Sequence, residues 1–399
     1  MPTPLARLAA MLRRRSPRPG PTGRSMLVAH PNADLYGSDR VLLESTAGLV
    51  AAGWRVVVTV PGPGPLVSSL AAQGVEVAFC PVPVLRKSAL RPRGFARFVL
   101  EVARSLPPAV RLIARSRGSD LYVNTITIPT WIVLGRLLGR RVTCHVHEAE
   151  GSASALIRRL ISLPLVFAHR IIVNSQFSLD VLSGAIPALR RRTTVVYNGV
   201  PGPAHPAPAR PELSVPVRLL FLGRLSPRKG PQVAVAATHE LRSRGLDVRL
   251  TILGAVFPGY EWFEEELRST VASTGIADSV AFLGFDSDVW PHLADADVVL
   301  VPSVADEPFG NTAVEAVLAA RPLVVSATSG LLEASAGYRS AQSVEPERPD
   351  LLADAVSHVI AEWVRYREDA VADSVVAAAR HSVTEYQRQV VRLLSPNPG

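Results

Sequence analysis

The chain has 399 residues, 48% of them apolar and 6% aromatic, with two cysteines, which excludes a disulfide-stapled secreted module and a disordered polyelectrolyte. Its formal charge of +9 is unevenly spread: residues 1–200 carry 26 Lys/Arg against 9 Asp/Glu, and residues 201–399 carry 17 against 25. The basic half shows no aromatic-basic interleaving, zinc spacing or helix-turn-helix signal, so no nucleic acid is expected as a partner; anionic lipid or a pyrophosphate-bearing substrate suits it better.

Residues 1–24 are rich in Arg, Pro and Gly and read as a disordered basic tail. From 25 onward, β-branched runs alternate with helical segments. Strands are expected at 26–30, 55–61, 76–82, 121–125, 141–147, 170–175 and 193–197. Helices are expected at 38–52, 65–73, 93–117 (broken at Pro107-Pro108), 130–138, 152–167 and 176–183. Cys80 and Cys144 fall in the strand runs and read as small buried hydrophobes in a reducing compartment. The proline-rich stretch 201–216 reads as a linker. The alternation then restarts, with strands at 218–223, 248–254, 280–284, 298–302 and 323–326. Helices are expected between them at 231–244, 261–273, 289–294 and 312–320, before a helical stretch over 350–394. The pattern implies an α/β fold of two Rossmann-like, doubly wound parallel-sheet domains, 25–200 and 217–380, facing across a cleft. No apolar run reaches membrane-span length and no signal-peptide core follows the arginines at 13–15. A cytoplasmic location is expected, with peripheral contact at the inner face of an anionic membrane.

Two strand-end loops stand out. The first, Asp306-Glu307-Pro308-Phe309-Gly310-Asn311-Thr312, leads from an apolar strand into a helix carrying Glu315. Glu315 fits a capping box begun by Thr312 equally well, whereas Glu307 has no evident local partner. The second, Gly223-Arg224-Leu225-Ser226-Pro227-Arg228-Lys229-Gly230, puts cations and glycines ahead of a helix N-terminus, a phosphate cradle. Lys229 is one of only two lysines in an arginine-rich chain. In the first half, Gly37, Ser38 and Asp39 end the first loop, where a capped turn would look the same. His145, His147 and Glu148 close the strand at 141–147, with the two histidines on one side. Asp295-Ala-Asp297 superficially looks like a metal motif, but it precedes a strand.

The pair Glu307 and Glu315 resembles the Glu-x7-Glu motif of the retaining glycosyltransferases of family 4 (glycosyl transferases group 1), which have the GT-B fold. The resemblance implies that Glu307 approaches the donor sugar and Glu315 holds the nucleotide ribose, with Phe309, Gly310, Asn311 and Thr312 in the donor-binding set. It implies that Arg224 and Lys229 bind the donor diphosphate, with Gly37 and Ser38 near the phosphates. His147 is implied near the donor sugar and acceptor, with Glu148 beside it for acceptor hydroxyls, and Phe285 near the base. Tyr197-Asn198-Gly199 resembles the segment before the interdomain hinge, and 381–394 the helix that returns to the first domain. Ser329-Gly330-Leu331-Leu332-Glu333 resembles a family loop in which Leu332 stands where a proline is usual. The expected activity is retaining transfer from a nucleotide diphosphate sugar to a hydroxyl acceptor in polysaccharide or glycolipid assembly, with no metal and no further cofactor. The basic region 86–117 suggests a lipid-linked acceptor. An inactive scaffold and a sugar-nucleotide epimerase stay open as alternatives. A phosphorylase fits poorly, since neither Lys87 nor Lys229 sits in a context suited to pyridoxal phosphate.

Overall fold

The computed structural model describes residues 22–85, 89, 92–116, 118–149, 151–257 and 259–395. The chain forms two compact units: one runs to Gly199 and takes up again at Val383, and the other spans Val200–Ser382. The expected tail lies outside the described residues except for 22–24. There Thr22 Oγ1 donates to the Gly53 carbonyl at 3.0 Å, and the Arg55 N–H to the Arg24 carbonyl.

The first unit holds a seven-stranded parallel sheet of β1 (Ser25–Ala29), β2 (Arg55–Val60), β3 (Glu76–Phe79), β4 (Asp120–Val123), β5 (Val142–Val146), β6 (Arg170–Val173) and β7 (Thr193–Val195). Its order is β3-β2-β1-β4-β5-β6-β7. Successive strand residues point to opposite faces, and both faces are covered. Leu27, Ala29, Leu121, Val123, Val142 and Cys144 feed one core, with Ile113 of α3 (Pro92–Arg115), Trp131 of α4 (Pro129–Leu137) and Leu182 of α6 (Gln176–Ala185). Met26, Val28, Val56, Val58 and Tyr122 feed the other, with Leu42 of α1 (Gly37–Ala51) and Leu66 of α2 (Pro65–Ala72). Between β5 and β6 lies α5 (Ala155–Ser162). The last helix, α14 (Val383–Leu394), adds Tyr386 and Val390 to the second core, and Tyr386 Oη lies 2.6 Å from Ser45 Oγ on α1.

The second unit repeats the plan with six strands, β8 (Val217–Leu222), β9 (Val248–Leu253), β10 (Val280–Gly284), β11 (Val298–Val301), β12 (Leu323–Ser326) and β13 (Ala341–Val344). Their order is β10-β9-β8-β11-β12-β13. Leu219, Phe221, Val298 and Leu300 pack under α7 (Pro231–Ser243), α8 (Glu261–Ser273) and α12 (Pro349–Ala361). Leu220, Leu222, Val299 and Val301 pack with α9 (Trp290–Asp295), α10 (Asn311–Leu318), α11 (Ser329–Ser335) and Ala377 of α13 (Trp363–Arg380).

Four expectations change. Helix α3 runs through Pro107 and Pro108 without the anticipated break. Ala103 and Arg104, whose carbonyls lose their N–H partners there, are exposed to water, while Ser105, Ala109 and Ile113 anchor the opposite face. The 329–333 segment is not a loop but opens α11. β13 escapes the sequence pattern because Ala-Gln-Ser-Val is a half-exposed edge strand with no apolar run. Finally, the proline-rich 201–216 is not a free linker: Ala209 is buried in the second unit's core, and Arg210 Nε donates to Asp297 at 2.8 Å.

That packing centres on Arg321, which is 1% exposed. Its guanidinium donates to the carbonyls of Leu293 and Ala294 at the end of α9, Ala319 and Ala320 after α10, and Ala207 of the proline-rich stretch, all at 2.7–3.1 Å. Burial lowers its pKa to about 10, with Asp297 and Asp295 opposing the shift. One side chain thus satisfies five acceptors left over by two helix ends and a loop. Arg321→Met, close in volume, should lower the urea unfolding free energy by about 3 kcal/mol, because several buried carbonyls lose their donor at once.

Candidate active site

In a doubly wound sheet, ligands bind beyond the carboxyl ends of the strands where strand order reverses. In the second unit that point lies between β8 and β11, and the two loops singled out in the sequence leave those strands. After β8 the chain makes a turn of 3-10 helix, Pro227–Lys229, and Gly230 takes the left-handed conformation (φ +73°) as α7 begins. A side chain at Gly230 would overlap the carbonyl oxygen of Pro302, which follows β11. The close approach is clipped by Val304 N–H to the Arg228 carbonyl (2.9 Å) and Arg228 Nη2 to the Asp306 carbonyl (2.8 Å).

These contacts bring Lys229 Nζ to 2.9 Å from Glu307 Oε1. Glu307 is 7% exposed, and Ser303 Oγ donates to the same oxygen at 3.0 Å. On the other side, the Gly330 N–H donates to the Glu307 carbonyl (3.0 Å), and Ser329 Oγ donates to the neighbouring Asp306 side chain at Oδ1 (2.9 Å). Arg224, on the β8 loop, lays its guanidinium 3.3 Å above the Phe257 ring centroid, a cation–π contact that orients the fork.

Past Glu307, Phe309 turns inward: it is 2% exposed in the core and meets the His381 ring edge-on at 5.6 Å. Gly310 (φ +119°) caps α10, so Asn311 is the first helical residue and Thr312 the second. This corrects the capping-box reading, because Glu315 lies five residues into the helix and not three. Glu315 is half-buried and Phe285, after β10, is exposed. Both aspartates of Asp295-Ala-Asp297 are engaged by arginines: Asp297 is buried against Arg210 and the Arg218 N–H, and Asp295 pairs with Arg218.

The first unit builds a different kind of site at its own reversal, between β1 and β4. Gly37 opens α1, and Asp39 Oδ2 accepts from the Tyr36 N–H at 2.8 Å, so Asp39 closes the turn. His147, just past β5, makes a 3.0 Å hydrogen bond from Nε2 to Asn124 Oδ1 and lies against His145, with ring centroids 4.0 Å apart and the rings tilted by 40°. Asn124 Nδ2 in turn lies 3.5 Å from the Ser38 carbonyl, which links His147 to the start of α1. Glu148 is turned into the loops: Thr125 Oγ1, Ile126 N–H and His147 N–H all donate to it, opposing the upward shift that burial gives its carboxyl. Asn124, Phe257 and Ser303 were not singled out in the sequence. A polar Asn or Ser ending an apolar strand is the one signal available for two of them.

Burial lowers the His145 pKa to about 3, and burial with His145 and His30 nearby holds His147 well below the usual range. Both rings are neutral in the folded state near pH 7. Because the folded pKa of His145 lies below its unfolded value, the unfolded chain binds the extra proton between about pH 6.5 and 3. Stability should therefore fall as pH drops below 6.5, by about 1 kcal/mol per pH unit from this group. Urea titrations at pH 7.5, 6 and 5 should show a shallower loss in His145→Gln.

The architecture of two Rossmann-like parallel-sheet units is the GT-B fold. It is shared with Anabaena Alr3699/HepE, solved in complex with UDP-glucose (TM-score 0.75, 20% identity, 92% of this chain and 98% of that one). It is shared too with WaaG, a glycosyltransferase involved in lipopolysaccharide biosynthesis (TM-score 0.68, 14% identity, 94% and 100%). At these identities the likeness is one of fold. The model of Glycosyltransferase Family 4 matches residues 36–201, and that of Glycosyl transferases group 1 matches residues 216–362. The chain belongs to this glycosyltransferase family. An uncharacterized glycosyltransferase of Methanocaldococcus jannaschii is 35% identical over 147 residues, 36% of each chain. A D-inositol 3-phosphate glycosyltransferase of Acidothermus cellulolyticus is 30% identical over 280 residues, 63% of this chain and 62% of that protein. The matched stretches thus span less than two thirds of either relative.

Proposed function

We propose that the protein is a retaining glycosyltransferase that moves a sugar from a nucleotide diphosphate sugar to a hydroxyl acceptor. The observation that carries this is the 2.9 Å contact of Lys229 with Glu307 at the strand-order reversal of the second sheet. A lone cation there would suit any anion. A cation beside a carboxylate suits a ligand with a diphosphate at one end and sugar hydroxyls at the other. Lys229 supplies a compact charge and Arg224 a bidentate fork for the diphosphate, with the N-terminus of α7 adding N–H groups. Glu307 orients the donor sugar and Glu315 the ribose.

The hard step is expelling the diphosphate from the anomeric carbon, and charge grows on the leaving oxygens as that bond breaks. Arg224 and Lys229 stabilise it without a metal. Glu307 is held by Lys229 and Ser303, which suits a positioning group better than a nucleophile, and in this reading the acceptor oxygen attacks from the departing side. The C1–O(phosphate) bond breaks, the C1–O(acceptor) bond forms, and a leaving phosphate oxygen takes the acceptor proton. In the first unit, His147 is a neutral hydrogen-bonding group for an acceptor hydroxyl.

A thermal-shift screen against UDP-, GDP- and dTDP-sugars should raise the melting temperature with one donor class. Transfer of that donor should persist in EDTA and keep the anomeric configuration by NMR. Lys229→Ala and Glu307→Ala should each lower kcat/KM by about 10²–10³-fold, the loss seen when one group stabilising a developing charge is removed. Donor binding with no turnover to any acceptor or to water would favour the inactive scaffold.

The acceptor is proposed to be lipid-linked and met at an anionic membrane. Among the described residues, no helix is long and apolar enough to cross a membrane. The first unit nevertheless exposes large apolar side chains beside arginines: Phe95 and Val99 near Arg97 on α3, and Leu156 and Leu160 near Arg158 and Arg159 on α5. Such a surface suits shallow insertion among acidic headgroups. Co-sedimentation with phosphatidylglycerol vesicles should be strong in low salt and weak with phosphatidylcholine. Leu156→Glu combined with Leu160→Glu should reduce it several-fold without changing the melting temperature.

A further inference from the structure

Three polar side chains that the proposed chemistry does not use lie fully buried behind His147. His30 follows β1, Asp39 sits in the first turn of α1, and Asn124 follows β4; each is 0% exposed. His30 Nε2 is 2.8 Å from Asp39 Oδ1, Asn124 Nδ2 is 3.2 Å from His30 Nδ1, and Asn124 Oδ1 is 3.0 Å from His147 Nε2. Three hydrogen bonds in series thus run from a carboxylate to the site histidine.

Each link constrains the next. The Asp39 carboxylate already accepts from the Tyr36 N–H and from Ser38 Oγ, and as an acceptor it requires His30 Nε2 to donate. A neutral His30 then carries its lone pair on Nδ1, which accepts from the Asn124 amide nitrogen. The Ser38 carbonyl, 3.5 Å from that nitrogen, holds no hydrogen to donate and favours the same amide orientation. The amide oxygen therefore faces His147, and Nε2 of His147 must be the protonated nitrogen.

We propose that Asp39, His30 and Asn124 are positioning residues: a hydrogen-bond chain of fixed polarity that keeps His147 in the Nε2–H tautomer and leaves its Nδ1 bare, as an acceptor for a substrate hydroxyl. The assignment of a substrate role to Nδ1 rests on the transferase reading above; the tautomer itself does not. The chain spans the β1/β4 reversal, so it joins the three strand ends and the helix start around the site. A purely packing role would leave the tautomer of His147 unspecified. The low pKa of His147, due to burial and to its neighbours His145 and His30, keeps the ring neutral, the state in which tautomer choice has meaning.

The test is the ring ¹⁵N spectrum of the full chain labelled at histidine, at pH 7.5, with His147 assigned by its loss in His147→Gln. Wild type should show Nε2–H. Asn124→Leu, which cuts the chain, should give both tautomers in exchange. It should also lower kcat about tenfold, with the donor KM within about twofold, the pattern of a misoriented group and not of a lost binding contact. Asp39→Asn can donate to His30 and so reverse the polarity; it should move part of the His147 population to Nδ1–H from two links away. If Asn124→Leu does not fold, Asp39→Asn decides alone. A wild-type Nδ1–H tautomer, as a His30 imidazolium would impose, overturns the proposal. So does a His147 spectrum unchanged in the folded variants. Tautomer shifts as expected in a protein that transfers no sugar would count against the transferase reading and leave the relay standing.

Discussion

The second unit is organised by one electrostatic constraint: a largely buried carboxylate, Glu307, must have a cation, and Lys229 supplies it. Removing a carboxylate from water is costly unless charge and hydrogen bonds replace the solvent. Here the replacement comes from two different loops, Ser303 beside Glu307 in its own and Lys229 in the other. The pair therefore ties the exit of β11 to the exit of β8. The rest of the local structure permits that tie: the left-handed Gly230 against Pro302, the Arg228 bridges to Val304 and Asp306, and the N-terminus of α11 pressed on the Glu307 carbonyl.

Both units use the same topological device with opposite electrostatics. At the β8/β11 reversal the groups are charged. At the β1/β4 reversal they are buried, with His145 and His147 held uncharged and linked by hydrogen bonds to Tyr122 and Asn124. A charged site recognises charge over distance. A neutral, hydrogen-bonded site discriminates by donor and acceptor geometry, because each misplaced partner leaves a buried polar atom unsatisfied. The two sheets are built alike, but the residues ending their strands give them different chemistry.

The parts of the chain that resisted sequence reading share a cause. β13 is an edge strand, so it lacks the apolar run that marks a strand buried on both faces. Pro107 and Pro108 signal a break, yet α3 continues because its proline turn faces water while its other face is anchored on the sheet. The 201–216 stretch has linker composition, but Arg210 and Arg321 fasten it to the second unit through bonds to residues far along the chain. Phe309 stands in the loop before α10, yet its side chain packs into the core. Local composition reports propensity, and long-range packing overrides it wherever a few kcal/mol of burial or hydrogen bonding are available.

What the sequence determined by itself was the period: apolar runs and helical stripes alternate so regularly that two parallel sheets covered on both faces are the only economical burial. It also placed Glu307, Lys229 and Arg224 in the second half, and His147 in the first, at strand ends, where a parallel fold exposes its loops. Only the tertiary structure decided which loops are neighbours. Strand order within a sheet is set by crossovers and packing, not by sequence proximity, so the meeting of Lys229 with Glu307 was beyond local reading. So was the chain from Asp39 through His30 and Asn124 to His147, since hydrogen-bond polarity exists only once donors and acceptors are placed in space.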